Sequence, residues 1–205
     1  MSRRLGRRFF ARPALEVAPD LLNKVLVAPG VAGRIVETEA YQGADDPGSH
    51  AHRGVTPRTE VMFGPPGHLY VYFTYGMHWC ANVVTGPRGE PGAVLIRAVT
   101  PLRGVPAMRS RRERARRDVD LANGPAKLAQ AFAIDGTHDG VDLARADLGV
   151  SIRDDGTAPP PTPAVGERIG LTKGQGLPWR FAVPDCAEVS RPHPAPGPNA
   201  TIPGP

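Results

Sequence analysis

Apolar and polar residues alternate along several short stretches of this chain, and few stretches repeat with the period of a helix. The pattern predicts strands over residues 24–27, 33–41, 69–74, 78–84, 93–99 and 151–153, with a turn at Pro29 and Gly30. Two of these strands flank Tyr75, Gly76 and Met77, which reads as a β-hairpin with those residues at its tip. Helices are expected over 18–23, 103–120 and 126–133. The first would carry Pro19 in its opening turn and bury Leu21 and Leu22; the second would be strongly basic on one side. The third has Asn123 or Gly124 as its cap, Pro125 at its first position, and Leu128 and Phe132 four apart on a buried side. Residues 168–173 and 179–183 look like a closing pair. Residues 42–58 have no period, and a loop that long in a compact domain is more often functional than idle. The sum is a mixed α/β (α+β) single domain in which antiparallel strands dominate.

Composition sharpens this picture. The chain of 205 residues is long enough for one real core, and 24 Gly with 24 Pro imply many turns and few long helices. No apolar run reaches the ~18–20 residues that cross a bilayer, so no membrane partner is expected. The basic N-terminus lacks an apolar signal core, and Cys80 and Cys186 suit a reducing compartment; both point to the cytoplasm. Residues 1–12 read as a flexible basic arm turning helical towards Phe9 and Phe10, and 13–190 as the folded domain. Residues 191–205 read as a disordered Pro-rich tail with little beyond Ile202 to anchor it.

Net charge is +5, and it is unevenly spread: seven arginines lie in 103–117, opposed there only by Glu113, and five more lie in the first twelve residues. Such clustering suits a polyanionic partner. A solvated helix face in a chain that uses Arg for Lys accounts for it equally well, since the lysines are only Lys24, Lys127 and Lys173.

The candidate chemistry is concentrated in 33–97. In the run VETEAY, at 36–41, Glu37, Glu39 and Tyr41 share one face of a strand, and Val36, Thr38 and Ala40 the other. A carboxylate two residues from a tyrosine suggests a site that holds a flat ring and does acid–base work beside it. Spacing does not choose between Glu37 and Glu39, and either also reads as a surface residue or an ion-pair partner. Arg97 is a charge inside an apolar strand, which is rare unless it is paired. It could pair with Glu39 and help to hold a water, or form a purely structural salt bridge. All four tyrosines, Tyr41, Tyr70, Tyr72 and Tyr75, fall in this stretch. Tyr70 and Tyr72 share a face; Tyr75 sits at the hairpin tip, where a ring can wedge into a base stack. Facing rings can sandwich a base, although packing within a sheet is the commoner fate of tyrosine. His50 and His52 form an H-x-H pair, but no CxxC or HExxH spacing accompanies it, so no metal is expected. His50 better fits a hydrogen-bonding place at a pocket mouth. No phosphate loop, nucleophile elbow or lysine in an apolar setting is present, so no cofactor is expected.

Together these segments resemble the alkyladenine (3-methyladenine, or methylpurine) DNA glycosylase family. The resemblance covers about 21–183 and rests on GRIVETEAY (33–41), TPR (56–58), LYVY (69–72), YGM (75–77), CAN (80–82), VLIRA (94–98) and GPAKL (124–128). It implies a curved antiparallel sheet with flanking helices and a protruding hairpin, like the C-terminal domain of formyltransferases. It implies Glu39 as general base and Arg97 as the residue that positions it. Tyr41, His50, Tyr72 and Asn82 would form the pocket for the extruded base, Asn82 disfavouring the 2-amino group of guanine. Tyr75, with Met77, would enter the DNA. The implied partner is double-stranded DNA containing damaged purines, acted on by a nucleoid-associated monomer that leaves an abasic site. A non-catalytic nucleic-acid-binding domain and a hydrolase of other N-glycosides are the competing readings.

Overall fold

The computed structural model describes residues 2–190, so the expectation for the Pro-rich tail lies outside the described residues. Its frame is one antiparallel sheet. The strands are β1 (Arg3–Arg4), β2 (Val25–Ala28), β3 (Val31–Tyr41), β4 (Leu69–Thr74), β5 (His78–Thr85), β6 (Gly92–Arg103), β7 (Ser151–Asp154), β8 (Ala164–Gly166) and β9 (Arg180–Ala182). The order is β1-β7-β2-β3-β6-β5-β4, with β9 paired to β3 and β8 to β9. The axis is β3. Strand β6 runs along one side of it, while β2 and then β9 take consecutive stretches of the other. The sheet curls strongly into a half-barrel, giving a mixed α/β single domain with few helices.

Alternation along the strands separates two faces. Leu69, Val71, Ala81, Val83, Val94 and Ile96 enter the main core. There they meet α2 (Ala14–Asp20) and α4 (Pro125–Phe132), from which Leu128 and Phe132 are buried. The intervening Tyr70, Val84 and Ala93 belong to a second cluster on the opposite face, with Tyr72 packed against it. Helix α4 starts as its sequence predicts, with Gly124 as cap and Pro125 at the first position. It lies so close to the sheet at Gly33 that a Cβ there would stand 2.7 Å from Val99 and 3.1 Å from Phe132.

The ladder between β3 and β6 slips at Ala32 and Gly33, and alternation breaks again in the middle of the two strands. Ile35 pairs with Val99, Glu37 with Ala98, and Thr38 with Ile96. One extra residue on β3 is followed by one on β6, so the register is the same on either side. Ile35, Ile96 and Val99 therefore all enter the core, and Thr38 donates to the Ala18 carbonyl at 2.9 Å. Paired irregularities of this kind re-aim side chains without ending the ladder. Here they fall where Glu37 meets Arg97.

Four expectations are corrected. The N-terminal segment is docked rather than a free arm. Arg3 and Arg4 pair with β7, Leu5 and Phe10 are buried, and Arg7 in α1 (Arg7–Phe10) reaches the Pro66 carbonyl and Asp142. Two apolar side chains and a satisfied guanidinium outweigh the local charge. The helix expected at 18–23 begins at Ala14 after Pro13, so Pro19 lies in its last turn, and Leu21 and Leu22 are buried just beyond it. The helix expected over 103–120 is only α3 (Val105–Arg111), because Arg103 ends β6. After Met108 no apolar stripe remains to hold it, and Arg109, Arg112 and Arg116 would stack like charges about a turn apart. Finally, β9 pairs with β8 and β3, not with 168–173, which instead crosses the face opposite the helices.

The tight approach at Gly33 generates a stability prediction. Gly33→Val overpacks the contact between β6 and α4 and should cost ~1–3 kcal/mol. Urea unfolding measures it, and a midpoint equal to that of the parent would show that the helix can move away freely.

Candidate active site

Strand register alone aligns one row of residues across five strands. Tyr70 pairs with Asn82, Asn82 with Leu95, Leu95 with Glu39, and Glu39 with Arg180. The row lies on the face opposite the helices, on rigid elements suited to holding a site.

At its centre one guanidinium is shared by two carboxylates. Arg97 Nη1 lies 3.1 Å from Glu39 Oε1, and Arg97 Nε donates to Glu37 Oε1 at 2.9 Å. Both glutamates are fully buried and Arg97 nearly so. Glu37 also accepts from Arg180 Nε at 2.6 Å, from the Ser190 N–H at 2.7 Å and from the Ser190 hydroxyl at 2.9 Å. Glu39 accepts from the Ile169 N–H at 2.7 Å on Oε1 and from the Tyr41 hydroxyl at 2.9 Å on Oε2. Burial pushes the Glu37 carboxyl up, but Arg97, Arg180 and Ser190 outweigh it and hold the group below its ordinary range. Burial also works against the Arg97 charge, and Glu39 and Glu37 overcome that and raise it. The Tyr41 hydroxyl is pushed well up by burial and then by Glu39, so it remains a donor.

Beside this cluster lies a small cavity of about 50 Å³, lined by Tyr41, His50, Tyr70, Tyr72, Asn82 and Leu171 among others. That is well below the ~300–1,000 Å³ usual for small-molecule sites. Glu39 does not line it. Tyr41 stands between, one edge on the cavity and its hydroxyl on the carboxylate. Asn82 sits at the cavity wall, its amide donating to the Tyr70 carbonyl at 3.1 Å. His50 meets the Tyr72 ring edge-on at 4.6 Å. Its Nδ1 lies 2.9 Å from the Tyr70 hydroxyl and its Nε2 lies 3.4 Å from Arg58. An arginine only donates, so Nε2 accepts and Nδ1 carries the proton. Desolvation, and then Arg58, pushes the His50 pKa down to about 4, so its ring is neutral near pH 7. His52 points elsewhere, to the Ala44 carbonyl.

A second ion pair holds the cavity's walls. Arg168 binds Asp46 at 2.5 and 2.8 Å and the Ala40 carbonyl at 2.9 Å, all buried. Its guanidinium also lies 4.6 Å from the Tyr41 ring centre and 4.9 Å from that of Trp179. The loop at 42–58 is thereby tied to the segment at 168–174, with Tyr41 braced from behind.

Tyr75 and Met77 lie outside the cavity, 78% and 67% exposed at the hairpin tip. Tyr75 and Gly76 both have left-handed backbones, at φ 52° and 66°. That conformation is natural for glycine and strained for tyrosine. The tip leans towards the cavity's cover, for a Cβ on Gly170 would be 3.7 Å from the Tyr75 hydroxyl. An outer groove of about 430 Å³ shares His50 and Leu171 with the cavity and carries Arg53, Arg58 and Lys173. The arginines of 103–117 are largely engaged internally. Arg111 and Arg112 bind carbonyls at Ala131 and Leu121, and Arg109 and Arg117 pair with Asp118 and Asp120.

Several members of this site were not singled out from sequence. Arg180, between Trp179 and Phe181, carries the same mark as Arg97: a charge in an apolar strand. Asp46, Arg168 and Ser190 sit in irregular segments that offer no such mark.

A buried acid–guanidinium cluster behind a ring-lined cavity equips a protein for acid–base chemistry on a flat ring. Comparison with known proteins narrows the class. Residues 8–187 match the family model described as methylpurine-DNA glycosylase, and the chain belongs to that family. Its relatives include proteins named "Putative 3-methyladenine DNA glycosylase" from three organisms. That of Burkholderia lata is 59% identical, over 92% of this chain and 91% of its own. The Streptomyces avermitilis protein is 50% identical, over 91% and 90%. The Rhodopseudomonas palustris protein is 46% identical, over 93% and 89%.

The electrostatics predict an acid-sensitive fold. Glu37 is held below its unfolded value of 4.5, and His50 is lowered from 6.5 to about 4. Each binds protons better when unfolded, so each contributes stability above its unfolded pKa that is lost as pH falls. The expected loss begins near pH 6.5 through His50, softened by solvent at its exposed edge, and steepens below 4.5 through Glu37. Denaturant titrations across pH 7 to 4 measure it. His50→Gln should flatten the upper part alone, and identical slopes for both proteins would rule His50 out.

Proposed function

We propose that this chain is a monofunctional DNA glycosylase that draws an alkylated or deaminated purine out of duplex DNA and hydrolyses its N-glycosidic bond. The observation that carries this reading is the 3.1 Å contact between Arg97 and Glu39 directly behind a tyrosine-lined cavity. The glycosidic bond of a stacked base is hidden, so the nucleotide must be extruded at a cost of a few kcal/mol. A damaged or mispaired base costs less, which is one source of selection. Tyr75, exposed and held in a strained turn, is suited to fill the vacated place, with Met77 beside it. Arg53, Arg58 and Lys173 supply positive charge for the flanking phosphates. In the cavity, Tyr41, Tyr72 and neutral His50 offer ring faces and edges to an electron-poor or cationic purine. Asn82, on the cavity wall, is the residue assigned to disfavour the 2-amino group of guanine.

Glu39 is the general base of this mechanism. Its Oε2 accepts one hydrogen bond, from Tyr41, and a carboxylate oxygen has two lone pairs, so it can take a proton from water. The water oxygen attacks C1′, its proton passes to Glu39, the C1′–N bond breaks, and the electron pair leaves with the base. The products are a free purine and an abasic site. Because Tyr41 and Ile169 close over Glu39, base entry requires the segment carrying Ile169 and Leu171 to yield. A non-catalytic DNA-binding domain would have no use for a buried carboxylate and guanidinium behind the cavity. A hydrolase of free nucleosides would leave the Tyr75 turn idle.

Glu39→Gln should lower release of hypoxanthine or 3-methyladenine from duplex by ~10²–10⁴-fold while duplex binding survives. Undiminished release would sink the assignment of the base. Tyr75→Ala should weaken binding to lesion duplex by ~1–3 kcal/mol and affect intact duplex less. Equal losses on both would remove the wedge.

A further inference from the structure

We propose that Ser190 is a positioning residue of this reaction, clamping Glu37 so that the guanidinium of Arg97 stays turned towards Glu39. The proposal rests on the glycosylase reading above. Ser190 lies after β9 and beyond the 8–187 span that matches the family model. It nevertheless makes three contacts to the buried cluster. Its N–H donates to Glu37 Oε2 at 2.7 Å, its hydroxyl donates to Glu37 Oε1 at 2.9 Å, and the same hydroxyl accepts from Arg97 Nη2 at 3.1 Å.

The consequence follows from the shape of a guanidinium. It is a rigid planar fork with donors at fixed angles. In Arg97, Nε is taken by Glu37, Nη1 by Glu39 and Nη2 by Ser190. With all three nitrogens engaged, the fork has one orientation, and that orientation aims Nη1 at the catalytic carboxylate. A hydroxyl can donate to one neighbour while accepting from another, which an alanine methyl cannot. Without it, Nη2 loses its acceptor and Glu37 loses one of its donors. Glu37 then offers Arg97 a two-pronged partner, and the fork can turn towards Glu37 and away from Glu39.

The charged and titratable groups that face Glu37 are Arg97 from β6 and Arg180 from β9; on its own strand, Glu39 is reached through Arg97. Loss of the Ser190 hydroxyl removes one of the contacts that hold the Glu37 carboxyl low. The acidic limb of the reaction should therefore move to higher pH in the variant.

The experiment compares the full chain with Ser190→Ala and Ser190→Thr in single-turnover release of hypoxanthine from duplex DNA between pH 5 and 8, with duplex affinity measured alongside. Ser190→Ala should release base about tenfold more slowly, with affinity within about twofold and the acidic limb displaced upward. Ser190→Thr, which keeps both donors, should restore the parent rate and profile. If Ser190→Ala does not fold, Ser190→Cys serves instead, because a thiol keeps the volume but is a weak donor and acceptor. A variant that melts earlier yet keeps the parent rate and pH profile would show Ser190 to be structural only, and the proposal would fall. Absence of release by the parent protein from hypoxanthine, 3-methyladenine and ethenoadenine duplexes would instead overturn the glycosylase reading, and this proposal with it.

Discussion

Charge buried in a protein must be paired, and that requirement governs this molecule. Glu37, Glu39, Arg97 and Arg180 lie within one cluster, two of each sign, and all are essentially shut off from solvent. Taking any one of them out of water alone would cost several kcal/mol. The cluster is tolerable only if three strands bring the four together within hydrogen-bonding distance. That accounts for the odd connectivity of β3, which has β6 along one side and changes partner from β2 to β9 on the other. The change falls next to the paired irregularity at Val36 and Arg97. The sheet is thus least regular where its charges are densest.

The same rule operates at the cavity's edge. Asp46 comes from a loop without periodicity and Arg168 from a segment without secondary structure, and each is buried because it has the other. Their pairing joins two otherwise weakly packed stretches. It also places a cation behind Tyr41, whose other contacts are the Glu39 carboxylate and the cavity. A ring braced in this way has little freedom left to lose.

What was legible in the sequence follows from these forces. Period-two alternation located the central strands and the hairpin, because each strand of the sheet has one face in the core. The cap, proline and apolar spacing of α4 were legible because they act within a few residues. Arg97 was legible as a paired residue because charge within an apolar strand implies a partner, but which glutamate it meets was not, and it meets both. The N-terminal segment was misread because its anchors, β7 and Asp142, lie more than a hundred residues away. The stretch after Met108 was misread because helix propensity cannot report the absence of anything to pack against. Asp46, Arg168 and Ser190 were invisible for the same reason: their partners are fixed by tertiary structure and leave no local pattern.

Glu37 and Glu39 are identical in chemistry, share a face and lie one pleat apart, so composition and spacing give no ground for treating them differently. Their surroundings do. Glu37 accepts from Arg97, Arg180 and the Ser190 hydroxyl on Oε1, and from the Ser190 N–H on Oε2. Its spare capacity is on Oε2, which lies against the Ser190 backbone, while Oε1 is crowded by three donors that it holds in place. Glu39 accepts from Arg97, Ile169 and Tyr41, and the oxygen that retains capacity is the one turned towards the cavity wall. The difference between the two is therefore a matter of where each keeps its spare capacity. It is set by where β9 and the segment after it happen to lie, not by the strand that carries both residues.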